Sequence, residues 1–144
     1  MTFEKEKDWA MAPGKVVFDL SGEKYADDKR IFQGIPGIER TSAGRIFYTF
    51  YSGTEGEGAG NFVMLYKGKS PDSFDVEPIL VIEPPMNKCR TFDPCLWIDP
   101  KGRLWVFYAQ GYGHIDSRFG VWCIVCDDPD AEELKFSEPR RIAN

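Results

Sequence analysis

The chain has 144 residues, a formal net charge of −5 and 15% aromatic residues. That length suits one domain, and the acidic balance argues against non-specific nucleic-acid binding. No apolar run is long enough to span a bilayer. The charged start, Met1-Thr2-Phe3-Glu4-Lys5, lacks a signal-peptide core, so a native start at Met1 would imply a cytoplasmic protein.

Residues 1–14 read as a polar lead-in anchored by Trp9, and Val16–Leu20 as a short strand. Ser21–Arg30 is charged and reads as a loop. A first unit then spans residues 31–84, with strands expected at about 36–41, 45–52, 61–67 and 78–83. Its second connection, residues 53–60, is glycine-rich, and Ser70–Asp75 is a turn cluster. The proline-containing linker Glu83–Lys88 leads to a second unit, residues 85–144. Here the strands are expected at about 94–98, 103–110, 121–126 and 139–142. No stretch has the periodicity of an amphipathic helix.

The second unit copies the first. Shifting the chain by 58 positions lays Pro36 on Pro94, Ile38 on Leu96, Gly44 on Gly102, Arg45 on Arg103 and Gly53 on Gly111. Further on, Phe62–Tyr66 aligns with Val121–Val125, and Glu77–Ile82 with the stretch from Glu138 to Ile142. Four strand-like runs per repeat predict an all-β propeller of four-stranded antiparallel blades. Such rings hold about four to eight blades, and this chain encodes about two. The remaining blades would come from a longer chain or from other copies. The strand at 16–20 would complete the last blade.

Of the four cysteines, Cys123 and Cys126 form a C-x-x-C. Three residues apart in a strand, they point to opposite faces, and free cysteine behaves as a small buried hydrophobe. With one histidine in the chain, neither a metal nor a cofactor is expected.

Antiparallel pairing places the start of each unit's first strand beside the end of its second. One rim therefore gathers Gln33, Glu55, Glu57, Asn61, Arg90, Asp93, Tyr112, His114, Asp116 and Arg118. This mixture of acids, bases and aromatics suits a polar ligand such as a sugar. Glu55 and Glu57 are candidate general acids, or parts of a solvated loop. Arg90 could clamp a carboxylate or pair with Asp93. His114 could act as a base near neutral pH or be an ordinary loop residue.

Phe32-Gln33-Gly34-Ile35-Pro36-Gly37-Ile38 resembles the arginine-isoleucine-proline motif of sialidases. Ser70-Pro71-Asp72-Ser73-Phe74 resembles a degenerate Asp-box (BNR repeat), and Asp127–Phe136 a weaker one. The resemblance, over residues 31–144, is to sialidase-like BNR-repeat propellers. It implies a six-bladed ring when complete, with the Asp-boxes as structural turns away from the active face. Where that family places a carboxylate-binding arginine, this chain has Gln33 nearby. Where it places an aspartate general acid, this loop offers Glu55 and Glu57. The resemblance implies a glycoside hydrolase for a polar or acidic glycan. In it, Glu55 or Glu57 protonates the leaving oxygen and Arg90, Asp93 and His114 hold the sugar. A polysaccharide lyase using His114 or Tyr112 on uronic acids is the alternative, as is a non-catalytic glycan-binding propeller.

Overall fold

The computed structural model describes residues 12–114 and 119–143. Among them lie ten strands and two single 3-10 turns, Glu23–Tyr25 and Asp27–Lys29, but no α-helix. The protein is all-β, built from two antiparallel sheets.

Sheet one holds β1 (Lys15–Val17), β2 (Phe32–Arg40), β3 (Ile46–Gly53), β4 (Phe62–Ser70), β5 (Ser73–Phe74) and β6 (Leu80–Glu83). Its order is β1-β6-β4-β3-β2, with β5 folded onto β4. Sheet two holds β7 (Cys89–Ile98), β8 (Leu104–Tyr112), β9 (Phe119–Cys126) and β10 (Arg140–Ala143), in the order β10-β9-β8-β7. The eight strands expected in the two units form, each within a few residues of its expected place, and the strand expected at 16–20 forms as β1. β1 does not take the closing role expected of it: it pairs antiparallel with β6 and so widens sheet one. The reason is an edge and not sequence proximity: β4 occupies one side of β6 and leaves the other to β1, with Lys15 opposite Glu83 and Val17 opposite Val81.

The repeat is visible in the backbone. The β2–β3 turn is closed by Thr41 N donating to Arg45 O and Gly44 N to Thr41 O. The β7–β8 turn repeats both bonds, Asp99 N to Arg103 O and Gly102 N to Asp99 O. Gly44 and Gly102 have φ of 101° and 79°, which other residues reach only with strain. Each first strand also carries a bulge, between Gly34 and Gly37 in β2 and between Phe92 and Cys95 in β7. Within them Ile35 and Asp93 share a φ of 47°.

Register corrects the alignment of the later strands. Ser52 faces Phe62 and Gln110 faces Gly120, so Phe62 corresponds to Gly120 and not to Val121. Leu65 faces Leu80 and Cys123 faces Arg140, so Leu80 corresponds to Arg140 and not to Arg141. Both slips are one residue, because an apolar run with a residue of either face at each position has no parity to fix it.

The sheets stack face to face. Phe47, Tyr51, Val63, Leu65, Leu80 and Ile82 of sheet one meet Leu96, Leu104, Val106, Tyr108, Trp122 and Ile124 of sheet two in one core. Polar bonds lock the stack. Thr91 Oγ1 donates to Ile82 O (2.6 Å) and accepts from Val63 N (3.0 Å). Ile98 N donates to Glu39 Oε2 (3.0 Å). Arg45 Nη1 donates to Pro129 O (2.9 Å) and Ala131 O (2.7 Å). The β2–β3 turn thus shares one end of the stack with the segment after β9. The opposite end holds the candidate site.

Candidate functional site

Four pieces of chain meet at that end: the start of β2, the loop after β3, the start of β7 and the end of β8. Ile31 N donates to Gly53 O (3.1 Å), Gly60 N to Cys89 O (2.8 Å) and Gly113 N to Lys88 O (2.7 Å). Asn61 shapes the glycine-rich loop from inside. Its Oδ1 accepts from Gly58 N (2.7 Å) and its Nδ2 donates to Gly56 O (2.9 Å). Expected as a ligand-binding residue, Asn61 is buried and spends both ends of its amide on the loop.

This pinning brings Glu57 over the core. Its Oε1 accepts from Tyr51 Oη (2.9 Å) and from Arg90 Nη1 (3.2 Å). Arg90 is held on three sides. Nη2 donates to His114 O (2.7 Å), and the guanidinium lies 3.8 Å from the centre of the Phe92 ring. The Arg90 side chain is 3% exposed, against 42% for Glu57. A buried cation therefore underlies an accessible carboxylate. Among the described residues Arg90 Nε has no acceptor.

Asp93 stands on the β7 bulge, exposed to solvent and within electrostatic reach of both groups. The two carboxyls are pushed apart in acidity. The Tyr51 hydroxyl, followed by Arg90, holds Glu57 below the usual carboxylate range. Desolvation pushes Asp93 up, Arg90 opposes it and the Glu57 charge adds to it. Tyr51 is itself pushed up to about 12, by desolvation first and Glu57 second, and so stays protonated as a donor. Opposed shifts of this kind separate an acid from a base in one site.

Of the residues expected at this rim, the structure joins Glu57, Arg90, Asp93 and the backbone of His114. His114 and Glu55 are exposed, and Tyr112 pairs with Cys89 across the β7–β8 ladder. Gln33 does not join the Arg90 group through any described bond. Its amide donates to Arg30 O (3.4 Å), and it lines a shallow hollow with Gly34, Pro36 and Phe50. Asp116, Arg118 and Trp9 lie outside the described residues. Tyr51 and Phe92 were not among the expected residues. Tyr51 could have been found by counting from Phe47, since alternation along β3 puts both on the inter-sheet face.

Comparison with known proteins gives no match: no family model fits the chain, and no curated protein or solved structure matches it.

Proposed function

We propose that this chain supplies two blades of a sialidase-like β-propeller and part of the site of a glycoside hydrolase that acts on a polar or acidic glycan. The observation that carries the reading is the pair of carboxyls set against one buried arginine. The bonds from Tyr51 and Arg90 lower the pKa of Glu57, while desolvation raises that of Asp93 from its ordinary value. In the reaction Asp93 donates its proton to the departing glycosidic oxygen. Ionised Glu57 faces the positive charge that develops on the sugar, acting as base or as nucleophile. Arg90 fixes Glu57 through a charge-assisted hydrogen bond, and the Tyr51 hydroxyl holds the same oxygen. The acid is thus reassigned to Asp93, because the bonds that Glu57 accepts favour its charged form.

The test is the hydrolysis of acidic and neutral oligosaccharides beside aryl glycosides with good leaving groups. A leaving group of low basicity needs no proton. Asp93→Asn should therefore lose at least ~100-fold on natural glycans and far less on the aryl substrates. Glu57→Gln should lose both activities. An unsaturated product absorbing in the ultraviolet would instead establish a lyase. Saturable glycan binding without turnover would establish a binding module. Equal loss on both substrate types in Asp93→Asn would remove it from the acid's role.

A further inference from the structure

We infer that the two outer faces of the stack bind each other between copies of this chain, head to tail, in a closed ring of a few copies. The inference deepens the propeller reading and is independent of the sugar chemistry. It rests on which faces the two sheets use.

The interface inside the chain joins non-equivalent faces. Sheet one offers the face of Phe47, Tyr51, Val63 and Leu65, and sheet two that of Leu104, Val106, Tyr108 and Trp122. Shift each by the repeat and the outer faces appear. Phe47 becomes Trp105 and Val63 becomes Val121, both outside on sheet two. Val106 becomes Tyr48 and Tyr108 becomes Phe50, both outside on sheet one. Ile38 is 64% exposed, while its equivalent Leu96, at 9%, is buried between the sheets. The outer face of sheet two is therefore of the type that sheet one buries, and the outer face of sheet one is of the type that sheet two buries.

Each outer face carries an aromatic ladder. On sheet one Tyr48 stacks on Tyr66 (4.7 Å) and meets Phe74 edge-on (5.2 Å). A trough beside them is lined by Pro36, Gly37, Ile38 and Phe50. On sheet two Trp105 stacks on Phe107 (5.9 Å) beside Trp97, which is 48% exposed. The equivalence ends at the outer strands. Arg140 stands in the place of Leu80, and on sheet one Tyr25 and Arg30 cover Phe62 and Met64. The contact is thus confined to β2–β3 of one copy and β7–β9 of the next. An interface of unlike faces closes into a ring or continues as a filament. The repeat inside the chain already sets one such step, and about four to eight sheets close a ring, which is two to four copies.

Sedimentation of the wild-type protein should show one discrete species of two to four chains of 16.4 kDa. Ile38→Lys blocks one face and Trp97→Lys the other. Each variant alone should be monomeric, and a mixture of the two should give a heterodimer and nothing larger. Cys95 provides a readout on the unmodified protein. It is the exposed cysteine among four, on the same face as Trp97, so its alkylation should be slow when concentrated and fast on dilution. A wild-type monomer at every concentration overturns the inference, whether or not Cys95 reacts. So does a dimer that only one of the two variants breaks, because that contact joins like faces. Growth without limit overturns the closed ring.

Discussion

The two sheets share a backbone and differ in chemistry. Thr41 and Asp99 close the same turn, each accepting the backbone N–H four residues on, at 3.1 Å and 3.0 Å. Ile35 and Asp93 occupy the same left-handed bulge position. Phe32 and Arg90 occupy the same place near the start of the first strand. What is common to both members of a pair belongs to the fold. Backbone strain at Asp93 would suggest function by itself, but Ile35 bears the same strain with an apolar side chain. The bulge is therefore architecture. Function is to be sought where one member of a pair has become polar without serving the backbone, as Arg90 has against Phe32 and Asp93 against Ile35.

The largest effect separates the inner and outer positions of the repeat. Phe47 and Trp105 are equivalent, but Phe47 is fully buried between the sheets and Trp105 only half-buried. Phe47→Ala should cost about 3–5 kcal/mol in urea unfolding. Trp105→Ala should cost less, roughly 1–2 kcal/mol of lost burial and about 1 kcal/mol more for the bond its Nε1 donates to Asp99, when measured in dilute protein. Equal costs would mean that the two faces are buried alike even in a single chain.

Next comes the buried cation. Arg90→Met removes the bonds to Glu57 and His114 and should cost about 2 kcal/mol. Glu57 is half-exposed and can rehydrate, so Glu57→Gln should cost less than about 1 kcal/mol. The asymmetry is the point of the measurement: a cation held by the fold and a carboxylate held for chemistry should differ in this direction. Phe32 at the equivalent position has no such partner to lose.

The turns differ in acid. Burial of Asp99 opposes its charge, but bonds from Trp105 Nε1 (2.9 Å), Arg103 Nε (2.6 Å) and the N–H groups of Lys101 and Arg103 outweigh that and hold its carboxyl well below the usual range. A depressed folded pKa contributes stability in full above the unfolded pKa, and that stability is lost as pH falls toward the folded value. Thr41 cannot titrate. Asp99→Thr should therefore flatten the loss of stability below about pH 4 while leaving the turn in place. Acid unfolding followed by tryptophan fluorescence measures it. An unchanged acid limb would show that other carboxylates carry the sensitivity.

Strand positions and the β2–β3 and β7–β8 turns were legible because alternation and glycine placement are local signals. The pairing partner of β1 was not, since it depends on which edge is free. The rim was legible from topology alone, but the roles within it were not. Asn61 has the composition of a ligand-binding residue and proves to be a loop pin, and Gln33 turns to the Arg30 carbonyl. Tyr51 was hidden because an aromatic in a strand reads as core. It is core, and its hydroxyl still reaches Glu57. The acidity of Glu57 depends on that reach, which no local pattern encodes.

The smallest effect bears on the bulge. A left-handed φ costs an ordinary residue roughly 1–2 kcal/mol, and a β-branched residue suits it worst, while aspartate tolerates it better. Glycine removes the strain but adds about 0.5–1 kcal/mol of chain entropy. Ile35→Gly should therefore stabilise the protein by roughly half a kcal/mol, and Asp93→Gly should leave it nearly unchanged. Paired thermal melts of the two variants read this difference, and turnover reads the rest. Ile35→Gly should keep full activity, since it alters only strain. Asp93→Gly should lose hydrolysis of natural glycans although the fold is intact. If Ile35→Gly also lost activity, the bulge itself would be shaping the rim. The distinction between shared architecture and divergent chemistry would then fail at the position where it is sharpest.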